Sequence, residues 1–116
     1  MADVTLKKDY QTRNRDIFLS VTIGEGQFGT SDVMVDKDQI LRASGSIGKL
    51  RVGNGKDLAG KTLNVLSVVS DVSTATNRMS VTYKLTGGQT TSEFTARGQV
   101  TKAGAFLEFE AIFSLL

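Results

Sequence analysis

Residues 17–23 read Ile-Phe-Leu-Ser-Val-Thr-Ile, and their pattern decides the fold class. The four aliphatic residues occupy every second position, so on a β-strand they share one face. At the 3.6-residue period of a helix the same side chains would scatter around the axis. Residues 17–23 are therefore predicted to form a strand with one face in the core.

The same alternation recurs along the chain. It is clearest in residues 63–69, 79–85 and 107–115, and shorter in residues 4–6, 33–35, 40–41 and 94–96. Glycines or polar runs separate these segments about every ten residues. This spacing predicts an all-β antiparallel β-sandwich, jelly-roll or immunoglobulin-like, with about seven or eight strands and little or no helix. One helical turn is expected near residues 55–59.

Length and composition indicate one globular unit. The chain has 116 residues, of which 40% are hydrophobic and 22% charged. A chain of this length buries enough surface to fold without disulfides or metals. With no internal repeat and no linker, residues 1–116 are predicted to form a single β-sandwich domain.

The residue inventory argues against catalysis. There is no cysteine and no histidine, which removes thiolate chemistry and the commonest general base and metal ligand. The serine and threonine hydroxyls therefore have no histidine to activate them. Glu108 and Glu110 share a strand face as a glycosidase pair could, but we interpret them as the solvent face of the last strand. We predict that the chain is not an enzyme and needs no cofactor.

Two glycine motifs resemble nucleotide sites. Gly24, Gly26 and Gly29 spell G-x-G-x-x-G, and residues 55–62 fit G-x-x-x-x-G-K-T. Both motifs bind phosphate only where a helix begins directly after the loop. Strand-like residues follow both motifs instead, so we predict turns and no nucleotide. For the first motif we expect a hairpin-like reversal near Gly26, with Phe28 packed inward or against a partner.

Charge does not indicate nucleic acid or a metal. The net charge is +2, and the densest basic group near the N-terminus is interrupted by acids: Lys7, Lys8, Arg13 and Arg15, with Asp9 and Asp16. We interpret that group as a solvated edge or loop and predict no nucleic-acid partner. Asp32, Asp36 and Asp38, with Glu25 nearby, are weak calcium candidates, since their spacing does not match a calcium loop. The prediction is therefore no metal.

The chain contains no apolar run of about 18 residues, so no membrane span is predicted. Residues 1–4, Met-Ala-Asp-Val, lack the apolar segment of a signal peptide. We expect a cytoplasmic protein, although a processed secreted chain with an added methionine would begin in the same way.

Segment 63–69 suggests a function. Leu63, Val65 and Val69 share one face, while Leu66 and Val68 lie on the other, as in a central strand or an oligomer contact. The absence of proline leaves charge, bulges or partner chains to protect edge strands. We predict a structural or protein-interaction module that binds other copies of itself or another protein.

Two alternatives remain open. The chain could be a carbohydrate- or lipid-binding module with its site on inter-strand loops such as residues 71–78. Asp71, Asn77 and Arg78 are the candidate binding residues there. A small hydrolase would instead require carboxylates clustered in a cleft.

Overall fold

A computed structural model describes residues 2–116. It contains nine strands and one short helix, α1 (Gly55–Leu58). The strands are β1 (Val4–Tyr10), β2 (Asp16–Ile23), β3 (Phe28–Val35), β4 (Asp38–Ser44), β5 (Ile47–Asn54), β6 (Thr62–Ser70), β7 (Arg78–Thr86), β8 (Ser92–Gln99) and β9 (Phe106–Leu115). The predicted all-β class is confirmed, and α1 lies where one helical turn was expected.

The strands form two sheets, which we name sheet A and sheet B. Sheet A has the order β1-β9-β6-β3-β4, and sheet B has the order β5-β2-β7-β8. Neighbouring strands are antiparallel, except that β1 runs parallel to β9. The two sheets are compatible with the predicted β-sandwich. The segment 47–54 forms a full strand although glycines interrupt it. It pairs with β2, and the pairing contains two register shifts.

The core consists of the inward side chains that the alternation predicts. Ile17, Leu19 and Val21 of β2 are fully buried. Residues of β6, β7 and β9 contribute most of the remaining core: Leu63, Val65, Val69, Met79, Val81, Tyr83, Leu85, Phe109, Ala111, Phe113 and Leu115. In β2, β6, β7 and β9 the alternation thus predicts which face is buried, and the opposite face is free to carry other properties.

Polar groups of serine and tyrosine side chains lie within this core. The Ser31 and Ser67 hydroxyls form a buried hydrogen bond of 2.6 Å between β3 and β6. Tyr83 packs edge-on against Phe113, with ring centroids 6.0 Å apart. Burial raises the pKa of the Tyr83 phenol, and the neighbouring Ser67 hydroxyl offsets part of that shift.

The connection after β2 differs from the expected hairpin. The Gln27 N–H donates to the Gly24 carbonyl at 3.2 Å, and Glu25 and Gly26 have positive φ, so a tight turn lies where it was predicted. The turn joins different sheets, however, because β2 belongs to sheet B and β3 to sheet A. Phe28 is 49% exposed, which excludes the first of its two predicted placements, inward packing, and leaves packing against a partner as a prediction.

Candidate functional site

The outer face of sheet A presents apolar side chains in rows across β3, β6 and β9. Phe28 is aligned with Ser70, and Ser70 with Phe106, at one end of the sheet. In the next row of the same face, Val68 of β6 lies between Thr30 of β3 and Glu108 of β9. Leu66 follows two residues along, between the acids Asp32 and Glu110, and the row after it contains Met34 and Ile112. We call these side chains the outer apolar patch: Phe28, Met34, Leu66, Val68, Phe106 and Ile112.

The patch is most exposed at the end where β6 finishes. Phe28, Phe106 and Val68 are 49%, 59% and 38% exposed, and Val72 just beyond β6 is also exposed. These four make up most of the exposed large hydrophobic residues in the described chain, where the others are Ile40 and Leu116. Large apolar side chains that cluster on a surface usually mark a contact with another molecule.

Charges on this face are largely satisfied within the chain. The Asp32 carboxylate accepts hydrogen bonds from the Arg42 guanidinium at 2.8 and 3.1 Å. The Asn64 amide donates to Glu110 at 3.0 Å, next to the centre of the patch. Glu110 and Glu108 lie on the outer face, where the sequence placed them. Arg42 therefore balances the charge of Asp32, whereas the neutral amide of Asn64 leaves the negative charge of Glu110 in place.

The outer face of sheet B is chemically different. Hydroxyl groups join its strands: the Thr82 and Thr95 hydroxyls lie 2.9 Å apart, and Ser20 donates to the Gly48 carbonyl at 2.6 Å. None of the exposed large hydrophobic residues in the described chain belongs to a strand of this sheet. Its aromatic residue, Phe18, is half-buried. This face is suited to water or to polar ligands.

An ion pair lies at one end of sheet B. Arg51 of β5 and Asp16 of β2 are 3.0 Å apart and well exposed. The hydrogen bond from Arg51 lowers the pKa of the Asp16 carboxyl, and the same contact raises the pKa of the Arg51 guanidinium. Asp16 is therefore ionised and already paired.

The loop between β6 and β7 does not present its three candidate residues together. Asp71 is only 3% exposed, and its carboxylate has no hydrogen-bond partner within residues 2–116. The Asn77 carbonyl accepts from the Val100 N–H at 3.1 Å. Arg78 lines a cleft of about 450 Å³, and none of the residues that line this cleft is aromatic.

A buried glutamine fixes this loop, and sequence reasoning missed it. The Gln27 amide donates to the Thr76 and Arg78 carbonyls at 3.0 Å, while its Oε1 accepts from the Val72 and Ser73 N–H groups. A glutamine that makes four such bonds satisfies backbone groups that no strand satisfies. A single polar residue beside a glycine turn gives no sequence signal for this role. The loop is consequently held in one conformation.

The weak calcium candidates have other partners or are exposed. Asp32 binds Arg42, and Asp36 Oδ1 accepts from the Thr62 N–H at 2.9 Å in the turn before β4. Asp38 is exposed at the start of β4, and Glu25 lies in the turn before β3. Within residues 2–116, no three carboxylates, histidines or cysteines lie together as a metal site.

The two glycine motifs lie in turns and strand ends. Gly24 and Gly26 form the turn after β2, and Gly29 is a buried residue of β3. Gly55 opens the four-residue helix α1, whereas Lys61 and Thr62 lead into β6. Neither motif is followed by the helix that phosphate binding of that kind requires.

Comparison with protein-family models, characterised proteins and solved structures finds no match for this chain. Across residues 2–116, no helix has the length and hydropathy required to cross a membrane.

Proposed function

We propose that the chain is a non-enzymatic interaction module that self-associates through the outer apolar patch of sheet A. The observation that carries this proposal is the strand register, which gathers Phe28, Val68 and Phe106 on one exposed face. Closed pairs of identical chains with two-fold symmetry are the commonest oligomers, so a second copy is the simplest occupant.

A two-fold axis along β6 makes the patch complementary to itself. Rotation about that axis places β3 of one copy over β9 of its partner and keeps each row aligned. Phe28 then faces the partner's Phe106, and Met34 faces the partner's Ile112. Leu66 and Val68, on the axis, face their own counterparts. Apolar side chains thus meet apolar side chains, and the two phenylalanine pairs add aromatic contacts.

Charge on the axis itself permits this arrangement, while beside the axis the row of Leu66 places Asp32 opposite the partner's Glu110, and these two acids are bound within each chain by Arg42 and Asn64. In a two-fold contact, residues on the axis meet themselves, so a charge there would repel its copy. The outward residues of β6 are all uncharged: Thr62, Asn64, Leu66, Val68 and Ser70. An axis perpendicular to the strands is less suitable. It would place the row of Phe106 opposite the row of Ser114, so aromatic side chains would face hydroxyl groups. We therefore prefer the axis along β6.

Light scattering after size-exclusion chromatography tests self-association. The expected molar mass is about 25 kDa, twice the 12.5 kDa of one chain. We expect the mass to fall toward that of one chain on dilution, as mass action requires. A mass of one chain at every concentration up to the solubility limit would contradict the proposal.

The alternative of a carbohydrate- or lipid-binding site on residues 71–78 has less support. Asp71 is buried, and the cleft beside Arg78 has no aromatic surface on which a sugar ring could stack. Lipid would require an apolar cavity at the same place. Self-association is therefore the function that we prefer.

A further inference from the structure

A basic cleft lies at one end of sheet B, away from the outer apolar patch. Its volume is about 430 Å³, and it opens between the β1–β2 connection and the turn that joins β7 to β8. We call it the arginine cleft, and its lining residues include Arg13, Arg15, Phe18, Lys49 and residues 86–91. The cleft is assembled from three separate parts of the chain.

The cleft has an excess of positive charge. Arg13, Arg15 and Lys49 are exposed, and within residues 2–116 none of them lies within 4.0 Å of a carboxylate oxygen. The only acid in the lining, Asp16, is paired with Arg51 at 3.0 Å. Like charges that converge on a cleft raise the local concentration of anions. The three cations are therefore available to a ligand from solution.

One wall of the cleft is held rigid by a buried tyrosine. The Tyr10 hydroxyl accepts from the Gly88 N–H at 3.0 Å and donates to the Thr90 carbonyl at 2.6 Å. The Gln89 N–H also donates to the Gln11 carbonyl at 3.0 Å. These bonds fix the turn at residues 87–91 against the β1–β2 connection. A wall that is already ordered loses little entropy when a ligand binds.

Two glycines allow this close contact. Gly87 has φ +93°, and a Cβ there would overlap the Asp16 carbonyl oxygen. A Cβ on Gly88 would lie 2.6 Å from the Tyr10 ring. Both positions require glycine, so the turn has the backbone shape that the cleft needs.

The chemistry of the lining selects the ligand class. Two guanidinium groups and an ammonium group are donors only, and planar guanidinium groups match phosphate and sulfate oxygens. The Lys49 Nζ lies 4.4 Å from the centre of the Phe18 ring, so an aromatic surface adjoins the charges. We propose that the arginine cleft binds a small molecule that carries a phosphate or sulfate group. The anion contacts Arg13, Arg15 and Lys49, and the rest of the molecule lies toward Phe18.

This site is independent of self-association, because it lies on the other sheet. Titration calorimetry with inorganic pyrophosphate and with a sulfated disaccharide tests it. Both anions should bind, and Arg13→Gln with Arg15→Gln should weaken each about tenfold or more. Neither arginine side chain makes a hydrogen bond within residues 2–116, so the fold should tolerate both changes. Lys49→Gln provides a second variant, with a smaller loss expected.

Arg97→Gln is the matched control, because Arg97 is an exposed arginine of β8 outside the cleft. It should change either affinity by less than about twofold, since one distant charge is screened by salt. The two ligands separate the sources of the anion. If the disaccharide binds more tightly and Phe18→Ala abolishes that advantage, the ligand is a sulfated sugar. Equal affinities would show that the anion alone is bound and would contradict the placement of the ligand against Phe18. Absence of binding, or an equal loss in Arg97→Gln, would overturn the proposal.

Discussion

The two outer faces of this sandwich differ far more than its two inner faces. Both inner faces consist of buried aliphatic and aromatic side chains, as a shared core demands. Outside, sheet A exposes Phe28, Val68 and Phe106, while sheet B carries hydroxyl bonds such as Thr82–Thr95. Packing determines the inward positions of any sandwich. The outward positions are not required for the core, so they are where a function without catalytic residues is expected to lie.

The largest expected effect comes from a charge on the proposed axis. Val68→Glu would bury two carboxylates against each other, at a cost of about 3–5 kcal/mol, roughly a hundredfold or more in the dissociation constant. Analytical ultracentrifugation should show single chains where the unmodified protein is paired. The matched control is Thr22→Glu, which places the same charge on an exposed central strand of sheet B. If both variants dissociate alike, the two faces do not differ in the proposed way.

The next effect concerns the phenylalanines on either side of the axis. Phe28→Ala and Phe106→Ala should each weaken pairing by about 2–4 kcal/mol, because exposed aromatic anchors dominate most interfaces. In the double variant the losses should be less than additive, since each ring faces the other across the axis. Strict additivity would show that the rings do not meet. Unfolding stability should hardly change in either variant, because both rings are exposed.

Two buried tyrosines test how the turn beside the arginine cleft is stabilised. Tyr10→Phe removes both hydrogen bonds to the turn that borders the arginine cleft, and it should lower the unfolding free energy by about 1–3 kcal/mol. Tyr83→Phe should be neutral or slightly stabilising, because the Tyr83 hydroxyl has no hydrogen bond of good geometry within residues 2–116. Denaturant unfolding of the two variants measures both effects. Equal losses would contradict this account of the turn.

The smallest effect involves the exposed pair of Asp16 and Arg51. Because the hydrogen bond from Arg51 lowers the folded-state pKa of Asp16 below its ordinary value, the ionised carboxylate stabilises the fold at pH values above that ordinary pKa. This contribution should disappear as the pH falls through the lowered pKa. Asp16→Asn should therefore be slightly less stable than the unmodified protein at neutral pH and equal to it in strong acid. In an Arg51→Gln background, the effect of Asp16→Asn at neutral pH should be smaller, because Arg51 is the largest cause of the lowered pKa of Asp16.

Local alternation was sufficient to predict the strands but not their partners. Ile17–Ile23 is unambiguous because four aliphatic residues share one strand face. The turn at Gly26 was also predictable, since glycine favours positive φ. A turn does not determine whether the chain returns along the same sheet, so the crossing from sheet B to sheet A was not foreseen. That crossing is what places Phe28 on the outer face.

The candidate sites were predictable only where they depend on a single strand. The apolar residues Leu66 and Val68 are visible in the sequence because they alternate with buried neighbours. Their alignment with Phe28 and Phe106 depends on strand register, which no local pattern supplies. The arginine cleft unites residues from positions 13 to 91, so only the tertiary fold reveals it. The burial of Asp71 in a polar loop likewise gives no local signal.

Single-cysteine cross-linking tests the central claim most directly, because the chain has no cysteine of its own. Val68→Cys and Thr22→Cys each give one exposed thiol on a central strand, the first on sheet A and the second on sheet B. A bismaleimide that spans about 10 Å, the usual separation of packed sheets, joins two thiols that face each other across the axis. We predict efficient cross-linking of Val68→Cys into covalent pairs and little cross-linking of Thr22→Cys. Equal cross-linking of the two variants, or none at position 68, would contradict self-association through the outer apolar patch.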